Sequence, residues 1–581
     1  MSDMRNEPIL ISTATQRNWD KLNTESTKRL KHRANKSLSD KHIVPEDYIH
    51  LNGLDSLVNQ VLECPYTDED IFYCLCMEKL RFIHESANVQ RFISEYKRDN
   101  NIQFDIPNNI LADANTDWLG YLYQSKTPEG RRNLQGQYYT NYKVVKDMFG
   151  DYKLQARESF FDPCCGTGAF LMNAGAISLS QLYGIDNDGI AVMIAKANLI
   201  ALYPDDKEYP NIFCEDYLEN LCSPKSKLQE MRFDYIYTNP PWGTSRTKKY
   251  HSEIIHSGER ASLFFVKAFE QLKKGGLMSF LMPSSLLKVK THQDFRSFIM
   301  KKTKLEGISI YSERFNGVFT DYFSITVSHT ESNAVQSYYV KNGEQTVWIS
   351  KLVENDSNDI ELNSSDDQEI LNMIEAQGSD NLANSIWALG IVTGDNKKKL
   401  KKEKTEGYEA IYTGKDIGRY SLRKPSNYIY YDRGQLQQCA KDEYYRCHEK
   451  LVYKFISRTP CFTYDNQSSL FLNSANILIP RIPGMSIKTV LSFLNSEVMA
   501  YYYAKRFTDI KILKGNLMKL PFPKVTKQQD KDLSELVDRV LNGDNESNEK
   551  IDKYIYSLYG FSPQIVNRIK KELYGNIIAS A

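Results

Sequence analysis

Residues 239–242 (NPPW) are the stretch whose residue types most directly indicate chemistry. The apolar run 233–237 before them is interpreted as a buried strand, which the prolines end because proline fixes φ and has no N–H. The Asn239 amide oxygen, the Pro240 carbonyl and the face of Trp242 then form a socket for a planar group that carries an NH2. Adenine and cytosine are such groups. The alternative interpretation is a rigid turn with a packed Trp.

A second stretch, residues 162–168 (DPCCGTG), lies between a short apolar strand at 159–161 and a helix that opens at Phe170. Strand, glycine turn and helix make the first unit of a doubly wound α/β sheet, in which small glycines let a ligand approach the backbone. Asp162 has a simpler alternative role as the cap of the helix after the turn. A glycine turn alone is a weak signal.

Polar residues end three further predicted strands. Asp186 follows the strand 182–185, about twenty residues past the glycine turn, where such folds place an acid against ribose hydroxyls. Asp216 follows the strand 212–214, and Asn239 follows the fourth strand. Because these sheets bind ligands along their carboxyl edge, the ordered series predicts one binding site there. Asp186 and Asp216 could instead be ordinary strand-end acids.

The flanking segments have different patterns. From residue 1 to about 115 apolar residues recur at helical spacing and nothing looks catalytic, which predicts a helical accessory domain. The stretch 354–369 is acidic and polar, as segments between domains often are. Beyond it, aromatic and basic side chains interleave around 428–458, a mixture suited to a groove that contacts DNA. The lysine-rich segment 396–404 either meets phosphates or is a solvated loop.

These patterns predict four segments. They are an N-terminal helical accessory domain at 1–115, a catalytic domain at 116–345, a linker at 346–380, and a recognition domain with C-terminal helices at 381–581.

Composition limits the class of protein. With 581 residues, 41% of them hydrophobic and 25% charged, the chain has the balance of a globular protein with about three or four domains. A net charge of +1 argues against indiscriminate polyanion binding. No apolar run reaches the roughly eighteen residues of a membrane span, and the first residues lack the apolar core of a secretory signal. Ten cysteines without a CxxC pair indicate a reducing cytoplasm and no structural metal.

In order and spacing, these stretches resemble the gamma-ordered class of N6-adenine DNA methyltransferases over roughly residues 130–335. Residues 136–140 match the cofactor motif that precedes the domain in this class, although Asn141 stands where a proline is common. Phe319 matches an aromatic that touches a flipped base, but Phe315 and Phe323 lie near and any of the three could be core.

The resemblance implies an α/β fold with a doubly wound Rossmann-like methyltransferase sheet, an N-terminal helical domain and a mixed α+β C-terminal recognition domain. It implies S-adenosylmethionine as methyl donor and no metal. It assigns the ribose contact to Asp186 and the contact to the cofactor's adenine to Asp216. The residues that it assigns are, for catalysis, Asn239, Pro240, Trp242 and Phe319, and, for cofactor binding, Tyr139, Thr140, Asp162, Cys164, Gly166, Gly168, Asp186, Asp216 and Asn239.

The expected activity is site-specific methylation of the adenine N6 amine in double-stranded DNA, by a bacterial or phage-encoded protein in the cytoplasm. The expected partner is duplex DNA with a short recognition sequence, and a cognate restriction endonuclease could act independently. Two alternatives stay open: methylation of cytosine N4, which uses the same socket, and a modification subunit that needs separate specificity and nuclease chains. No nuclease signature is present in the N-terminal region.

Overall fold

The computed structural model describes residues 42, 51–128, 140–220, 228, 230–243, 250, 252–311, 321–330, 337–349, 360–507, 511–544 and 546–575. The chain divides into two compact units, with the boundary between Leu362 and Asn363. None of the helices in this described part combines the length and the apolar character that crossing a membrane requires.

The first unit begins with a layer of helices. These are α1 (Leu54–Glu63), α2 (Asp68–Leu80), α3 (Ala87–Tyr96), α4 (Asn108–Leu111) and α5 (Trp118–Lys126). Their boundaries follow local capping: the Thr67 hydroxyl accepts the Asp70 N–H at the start of α2, and the Asp117 carboxylate accepts the Gly120 N–H at the start of α5. The helical accessory segment predicted from periodicity has this structure over its described residues.

A nine-stranded sheet follows, in the order β3-β2-β1-β4-β5-β7-β6-β8-β9. Its strands are β1 (Phe160–Asp162), β2 (Leu182–Asp186), β3 (Asn211–Cys214), β4 (Phe233–Thr238), β5 (Leu272–Pro283), β6 (Lys304–Tyr311), β7 (Tyr322–Ser328), β8 (Tyr338–Asn342) and β9 (Gln345–Ile349). The first five are mutually parallel, whereas β7 runs antiparallel between β5 and β6. The predicted doubly wound α/β sheet is confirmed.

Helices alternate with these strands. They are α6 (Tyr142–Phe149), α7 (Ala169–Asn173), α8 (Gly189–Leu202), α9 (Tyr217–Asn220), α10 (Arg260–Glu270), α11 (Ser285–Lys288) and α12 (Gln293–Lys302). Helix α8 has apolar residues on two faces because it lies between two cores. Val192 and Leu199 pack into the core of the sheet, while Ile194 and Ile200 pack into the core of the helical layer. Helix α8 therefore joins the helical layer to the sheet.

The second unit combines small sheets with helices. Its strands form four-stranded sheets in the orders β11-β20-β17-β18 and β12-β16-β13-β19, together with the pairs β10-β21 and β14-β15. The strands are β10 (Gly378–Asp380), β11 (Ile386–Ala388), β12 (Leu400–Lys401), β13 (Glu409–Tyr412), β14 (Ile417–Gly418), β15 (Ser421–Leu422), β16 (Asn427–Ile429), β17 (Lys450–Lys454), β18 (Phe462–Asp465), β19 (Leu470–Phe471), β20 (Ala475–Ile479) and β21 (Phe522–Pro523). This is the mixed α+β architecture that the sequence predicts for the C-terminal part.

The helices of the second unit are α13 (Ser365–Gln377), α14 (Asn396–Lys399), α15 (Asp442–Tyr445), α16 (Ile487–Leu494), α17 (Glu497–Arg506), α18 (Lys514–Leu517), α19 (Lys527–Leu541), α20 (Glu546–Leu558) and α21 (Pro563–Tyr574). Helix α13 lies inside the segment 346–380 that the sequence analysis assigns to a linker. Its apolar face, with Ile370, Leu371 and Ile374, packs into the core of the second unit. The four segment boundaries stay a prediction.

Candidate active site

Residues 162–168 turn the chain from the end of β1 into α7. Gly166 has a φ of 51° and Gly168 a φ of 96°, in the left-handed region that glycine adopts without a steric penalty. The Gly166 N–H donates to the Asp186 carboxylate over 2.8 Å. A Cβ atom on Gly168 would lie 3.4 Å from the Cβ of Ala195. The turn thus packs closely against α8 while its backbone faces the end of β2.

Asp162 lies beneath this turn. It is 1% exposed, and its Oδ1 accepts the Thr238 hydroxyl over 2.5 Å and the Cys164 N–H over 3.1 Å. Burial raises the pKa of Asp162 to about 7, although the bond from Thr238 opposes this shift. Asp162 therefore joins the glycine turn to the last residue of β4, directly before Asn239.

The two acids at the end of β2, Asp186 and Asp188, have different roles. Asp186 is buried, and its two carboxylate oxygens accept the N–H groups of Gly166 and Asp188. Burial and then the charge of Asp188 raise the pKa of Asp186 to about 6. Asp188 caps α8 through Ile190 and Ala191 and also accepts the Tyr123 hydroxyl over 2.6 Å. Because each carboxylate oxygen has two lone pairs, Asp186 can still accept ribose hydroxyls.

Asp216 begins the turn after β3. Its Oδ1 accepts the Leu218 N–H over 3.1 Å, and its Oδ2 accepts the Tyr250 hydroxyl over 2.6 Å. The side chain is half-buried. Its second pair of lone-pair sites can accept an amino group.

Asn239 follows β4 and is held from two sides. Its Nδ2 donates to the Thr140 hydroxyl over 3.0 Å. Its backbone carbonyl accepts the Cys164 thiol over 3.5 Å, and that sulfur also lies 2.9 Å from the Thr238 hydroxyl. Burial raises the pKa of the Cys164 thiol, so it stays a neutral donor. The structure thus brings the predicted residues Thr140, Cys164 and Asn239 together.

Trp242, predicted to stack on a target base, lies in the main core. It is 8% exposed, its Nε1–H donates to the Leu281 carbonyl over 3.2 Å, and its ring centroid lies 5.8 Å from that of Tyr322. An indole with a carbonyl partner is satisfied in an apolar environment. The residue anchors the loop to β5 and does not line the cavity described below.

Two further residues, at the start of α10, hold the same loop and were not predicted from the sequence. The Gly243 N–H donates to the Glu259 carboxylate over 2.6 Å, and Arg260 donates through Nη2 to the Trp242 carbonyl over 2.7 Å. Burial raises the pKa of Glu259. No local sequence pattern predicts these two contacts, because only the fold brings the loop and the helix together.

These groups surround one cavity at the carboxyl edge of β1–β4. Among the predicted residues, the cavity is lined by Cys164, Gly166, Asp186, Asp216 and Asn239. Asp162, Thr140, Gly168, Pro240 and Trp242 lie outside this lining. Tyr139 and Phe319 fall outside the described residues.

The cavity also contains residues that the sequence analysis did not single out. Tyr217 and Phe264 give the cavity an aromatic surface, with ring centroids 5.3 Å apart. Gly120, Tyr123 and Gln124 of α5 also line it. Phe264 belongs to an apolar stripe of α10, and such a stripe is as typical of core packing as of a binding site. Its position at the cavity could therefore not be predicted from the sequence.

The lysine-rich segment of the second unit is only partly available to a ligand. Lys399 donates to the carbonyls of Thr393 and Gln435, and Lys402 donates to Asn427 Oδ1 over 2.9 Å. Lys397 and Lys398 are exposed. Within residues 428–458, which are predicted to contact DNA, Tyr430 is 57% exposed and can meet a ligand, but Tyr453 is only 3% exposed and belongs to the core.

Two family models match the chain. The N-6 DNA methylase model matches residues 114–375, and the model of the TaqI-like C-terminal specificity domain matches residues 409–522. The chain carries an N-6 DNA methylase domain. This domain is that of DNA methyltransferases of the restriction-modification type, and S-adenosylmethionine is the expected cofactor. The predicted resemblance and the predicted cofactor are confirmed.

Curated relatives agree with the methylase domain, and a solved structure shares the fold. The type II methyltransferase M.VspI of Vibrio sp. (strain 343) is 25% identical over 355 residues, covering 59% of this chain and 82% of that protein. The type II methyltransferase M.HincII of Haemophilus influenzae is 25% identical over 195 residues, covering 33% of this chain and 36% of that protein. The type IIL restriction-modification enzyme MmeI in complex with DNA has the same fold, with a TM-score of 0.57 at 13% identity, covering 92% of this chain and 100% of that chain.

The residues around the cavity of the methylase domain fit S-adenosylmethionine. Two strand-end carboxylates offer acceptors for hydroxyl and amino groups, the rings of Tyr217 and Phe264 offer apolar surface, and the left-handed Gly166 leaves backbone open to a ligand. Nothing within 4 Å would meet a Cβ placed on Gly166, so space for a ligand exists there. Among the described residues, no group of three or more His, Cys, Asp or Glu side chains is arranged to hold a metal ion.

Proposed function

We propose that the chain methylates the N6 amine of adenine within a specific sequence of duplex DNA. The observation that carries this proposal is the position of Asn239, which directly follows β4 and lines the same cavity as Asp186 and Asp216. An amide acceptor next to a proline carbonyl is suited to bind both hydrogens of an exocyclic amine. The cofactor site and the amine site then share one edge of the sheet.

The side chains act by positioning. The amine nitrogen is a poor nucleophile because its lone pair is delocalised into the ring. Hydrogen bonds to Asn239 Oδ1 and to the Pro240 carbonyl would favour a pyramidal nitrogen whose lone pair is localised. When bound, S-adenosylmethionine supplies an electrophilic methyl group. Holding the amine in line with that group supplies much of the rate.

Thr140 and Cys164 support this geometry. The bond from Asn239 Nδ2 to Thr140 sets the plane of the amide, and the Cys164 thiol fixes the Asn239 backbone. Trp242 anchors the loop to β5 through the Leu281 carbonyl. The target base must leave the duplex to reach this edge, which costs a few kcal/mol of unstacking. Contact of Phe319 with the flipped base stays a prediction.

Three segments of the chain are assigned different tasks. Residues 116–345 carry out the chemistry, residues 1–115 support it, and residues 381–581 read the DNA. The TaqI-like specificity domain supports a chain that carries its own reader. Of the two alternatives, cytosine N4 methylation uses the same acceptors. A modification subunit stays open because the type I methylase subunit StySPI of Salmonella potsdam is 26% identical over 265 residues, covering 48% of that protein.

One experiment separates these possibilities. The purified chain is incubated with duplex DNA and S-adenosylmethionine, and the DNA is digested to nucleosides for mass spectrometry. N6-methyldeoxyadenosine is the expected product, whereas N4-methyldeoxycytidine would favour cytosine N4 methylation. Methylation that needs an added specificity chain would favour a modification subunit. The control is Asn239→Ala, which is expected to abolish transfer and to keep binding of S-adenosylhomocysteine.

A further inference from the structure

Helix α5 lines the same cavity as the aromatic pair Tyr217 and Phe264. Gly120, Tyr123 and Gln124 line the cavity. Their spacing of three and four residues places them on one face of the helix. The other face, with Leu119 and Leu122, is buried in the core of the helical layer. The helix is therefore a wall between that core and the cavity.

The first end of this wall is locked to the glycine turn. Asp117 is 6% exposed and accepts three donors: the Gly120 N–H over 2.8 Å, the Asn198 amide over 2.6 Å and the Thr167 hydroxyl. The Asn198 amide also donates to the Thr167 carbonyl over 3.0 Å. One buried carboxylate thus joins α5, α8 and the turn that faces the cofactor.

The approach at this point leaves no room for a side chain on α5. A Cβ atom on Gly120 would lie 2.1 Å from Asp117 Oδ2 and 2.3 Å from Thr167 Oγ1. Gly120 is therefore required for contact between the helix and the turn, and not for a special backbone angle.

The second end of the wall is joined to the end of β2. The Tyr123 hydroxyl donates to Asp188 over 2.6 Å, and Asp188 also donates its backbone N–H to Asp186 over 2.9 Å. Behind it, the ring of Phe72 meets the Tyr123 ring edge-on at 5.0 Å between centroids. Tyr123 is thus fixed next to the acid that is assigned to the ribose.

Gln124 has the remaining polar group on this face. Its side chain is half-buried at the cavity, and within the described part of the chain its amide has no hydrogen-bond partner. A polar side chain that lines a cavity gains most when a ligand supplies the missing partner.

We propose that α5 is the second wall of the S-adenosylmethionine site, in which Tyr123 and Gln124 contact the cofactor and Asp117 is the positioning residue that locks this wall to the glycine turn. The proposal rests on the proposed function because it takes the cavity to be the cofactor site. It extends the site from the sheet edge to a helix that begins about fifty residues before the glycine turn.

The direct test measures binding of S-adenosylhomocysteine by calorimetry to the full chain. Gln124→Ala is expected to weaken binding about five- to tenfold, as the loss of one hydrogen bond does. The matched control is Gln90→Ala on α3, whose amide donates to the His84 carbonyl away from the cavity. Gln90→Ala is expected to bind like the parent. Equal affinities of Gln124→Ala and the parent would overturn the contact.

The positioning role of Asp117 is tested through its partner. Thr167→Val removes the hydroxyl and Thr167→Ser keeps it, so the first is expected to weaken binding and the second to restore it to within about twofold. Asp113→Asn is a control in the same loop, because Asp113 accepts the N–H groups of Asn115 and Thr116 and does not reach the turn. If Asp113→Asn weakened binding of S-adenosylhomocysteine as much as Thr167→Val, the weaker binding would reflect a general loss of stability. That result would overturn the positioning role.

The outcomes also separate this inference from the proposed function. If the parent does not bind S-adenosylhomocysteine at all, the proposed function fails. If the parent binds and Gln124→Ala, Thr167→Val and Gly120→Ala all bind equally well, only the wall fails. Thermal unfolding of each variant without ligand shows whether it is folded, so that a weak binder is distinguished from an unfolded one.

Discussion

Asn239 and Thr140 are joined by a hydrogen bond of 3.0 Å between the amide Nδ2 and the hydroxyl, although 99 residues separate them in the chain. Thr140 is itself buried, at 6% exposure. Because a side-chain amide is planar, fixing Nδ2 also fixes the direction of Oδ1, the atom proposed to accept from the target amine. The segment before α6 therefore sets the geometry of the loop after β4.

This relationship predicts the effect of removing the hydroxyl. Thr140→Val is expected to lower kcat about tenfold to a hundredfold, because a small misplacement of a positioned group is costly in rate. Thr140→Ser keeps the hydroxyl and is expected to stay within about threefold of the parent. Single-turnover methylation with saturating cofactor measures both. If Thr140→Val and Thr140→Ser were equally active, the bond would have no part in catalysis.

The raised pKa of Asp186 predicts a pH dependence of cofactor binding. Burial and the charge of Asp188 raise this pKa to about 6 in the protein without cofactor, so the carboxyl is mostly protonated below that pH and mostly ionised above it. Ribose hydroxyls bind more strongly to the ionised form. Affinity for S-adenosylhomocysteine is therefore expected to rise about tenfold between roughly pH 5 and pH 7 and then to level off.

Asp186→Asn is the control for this titration. It is expected to bind more weakly at neutral pH and to lose most of the dependence between pH 5 and pH 7. A variant with an unchanged pH profile would assign the titration to another group, and Asp162, whose pKa burial raises to about 7, would be the next candidate.

The carboxyl edge of the sheet was predictable from sequence because its signals are local. Asp162 and Asp186 are the last residues of β1 and β2, and Asn239 directly follows β4. Asp216 lies two residues past the end of β3. A short stretch therefore contains both the strand and its polar end. The wall formed by α5 was not predictable. Asp117 meets Thr167 across 50 residues, and Tyr123 meets Asp188 across 65, and neither pair leaves a periodic or spacing signal in the chain.

Trp242 shows the limit of interpreting a residue type without its surroundings. An aromatic after two prolines has the chemistry to stack on a base, but equally the apolar surface to fill a core. The fold decides between them by placing the Leu281 carbonyl within 3.2 Å of the indole N–H and Tyr322 against the ring. Both contacts come from strands far along the sequence. The local pattern therefore predicts the loop, while the position of its aromatic depends on strands that the pattern does not contain.

A buried ion pair in the second unit predicts a large effect on stability. Lys450 and Asp465 are joined over 2.5 Å, with side chains 0% and 2% exposed. Lys450→Met leaves the Asp465 carboxylate buried without its counter-charge and is expected to lower the free energy of unfolding by roughly 3–5 kcal/mol. Denaturant unfolding of the full chain measures this loss.

The exposed pair of Lys531 and Glu535 on α19 is the matched control for that measurement. The two charges lie 3.9 Å apart with more than half of each side chain exposed. Lys531→Ala is expected to cost less than about 1 kcal/mol. If Lys450→Met and Lys531→Ala lowered the free energy of unfolding by similar amounts, the buried pair would not stabilise the second unit more than an exposed pair does.

The lysine-rich segment predicts a specific change in the salt dependence of DNA binding. Lys397 and Lys398 are exposed, whereas the ammonium groups of Lys399 and Lys402 already donate to protein oxygens. Replacing Lys397 and Lys398 with Ala is expected to reduce the slope of log K against log salt by about 2, since each lost phosphate contact removes close to one released counterion. Binding to cognate and non-cognate duplexes should weaken about equally, because phosphate contacts carry no base information.

Replacing Lys399 and Lys402 with Ala is the comparison, and it is expected to lower the unfolding midpoint while leaving the slope of log K against log salt nearly unchanged. Titrations at several salt concentrations measure both pairs of variants. A parental slope in the Lys397 and Lys398 variant would make this segment a solvated loop, and the phosphate contacts would then have to lie elsewhere in residues 381–581.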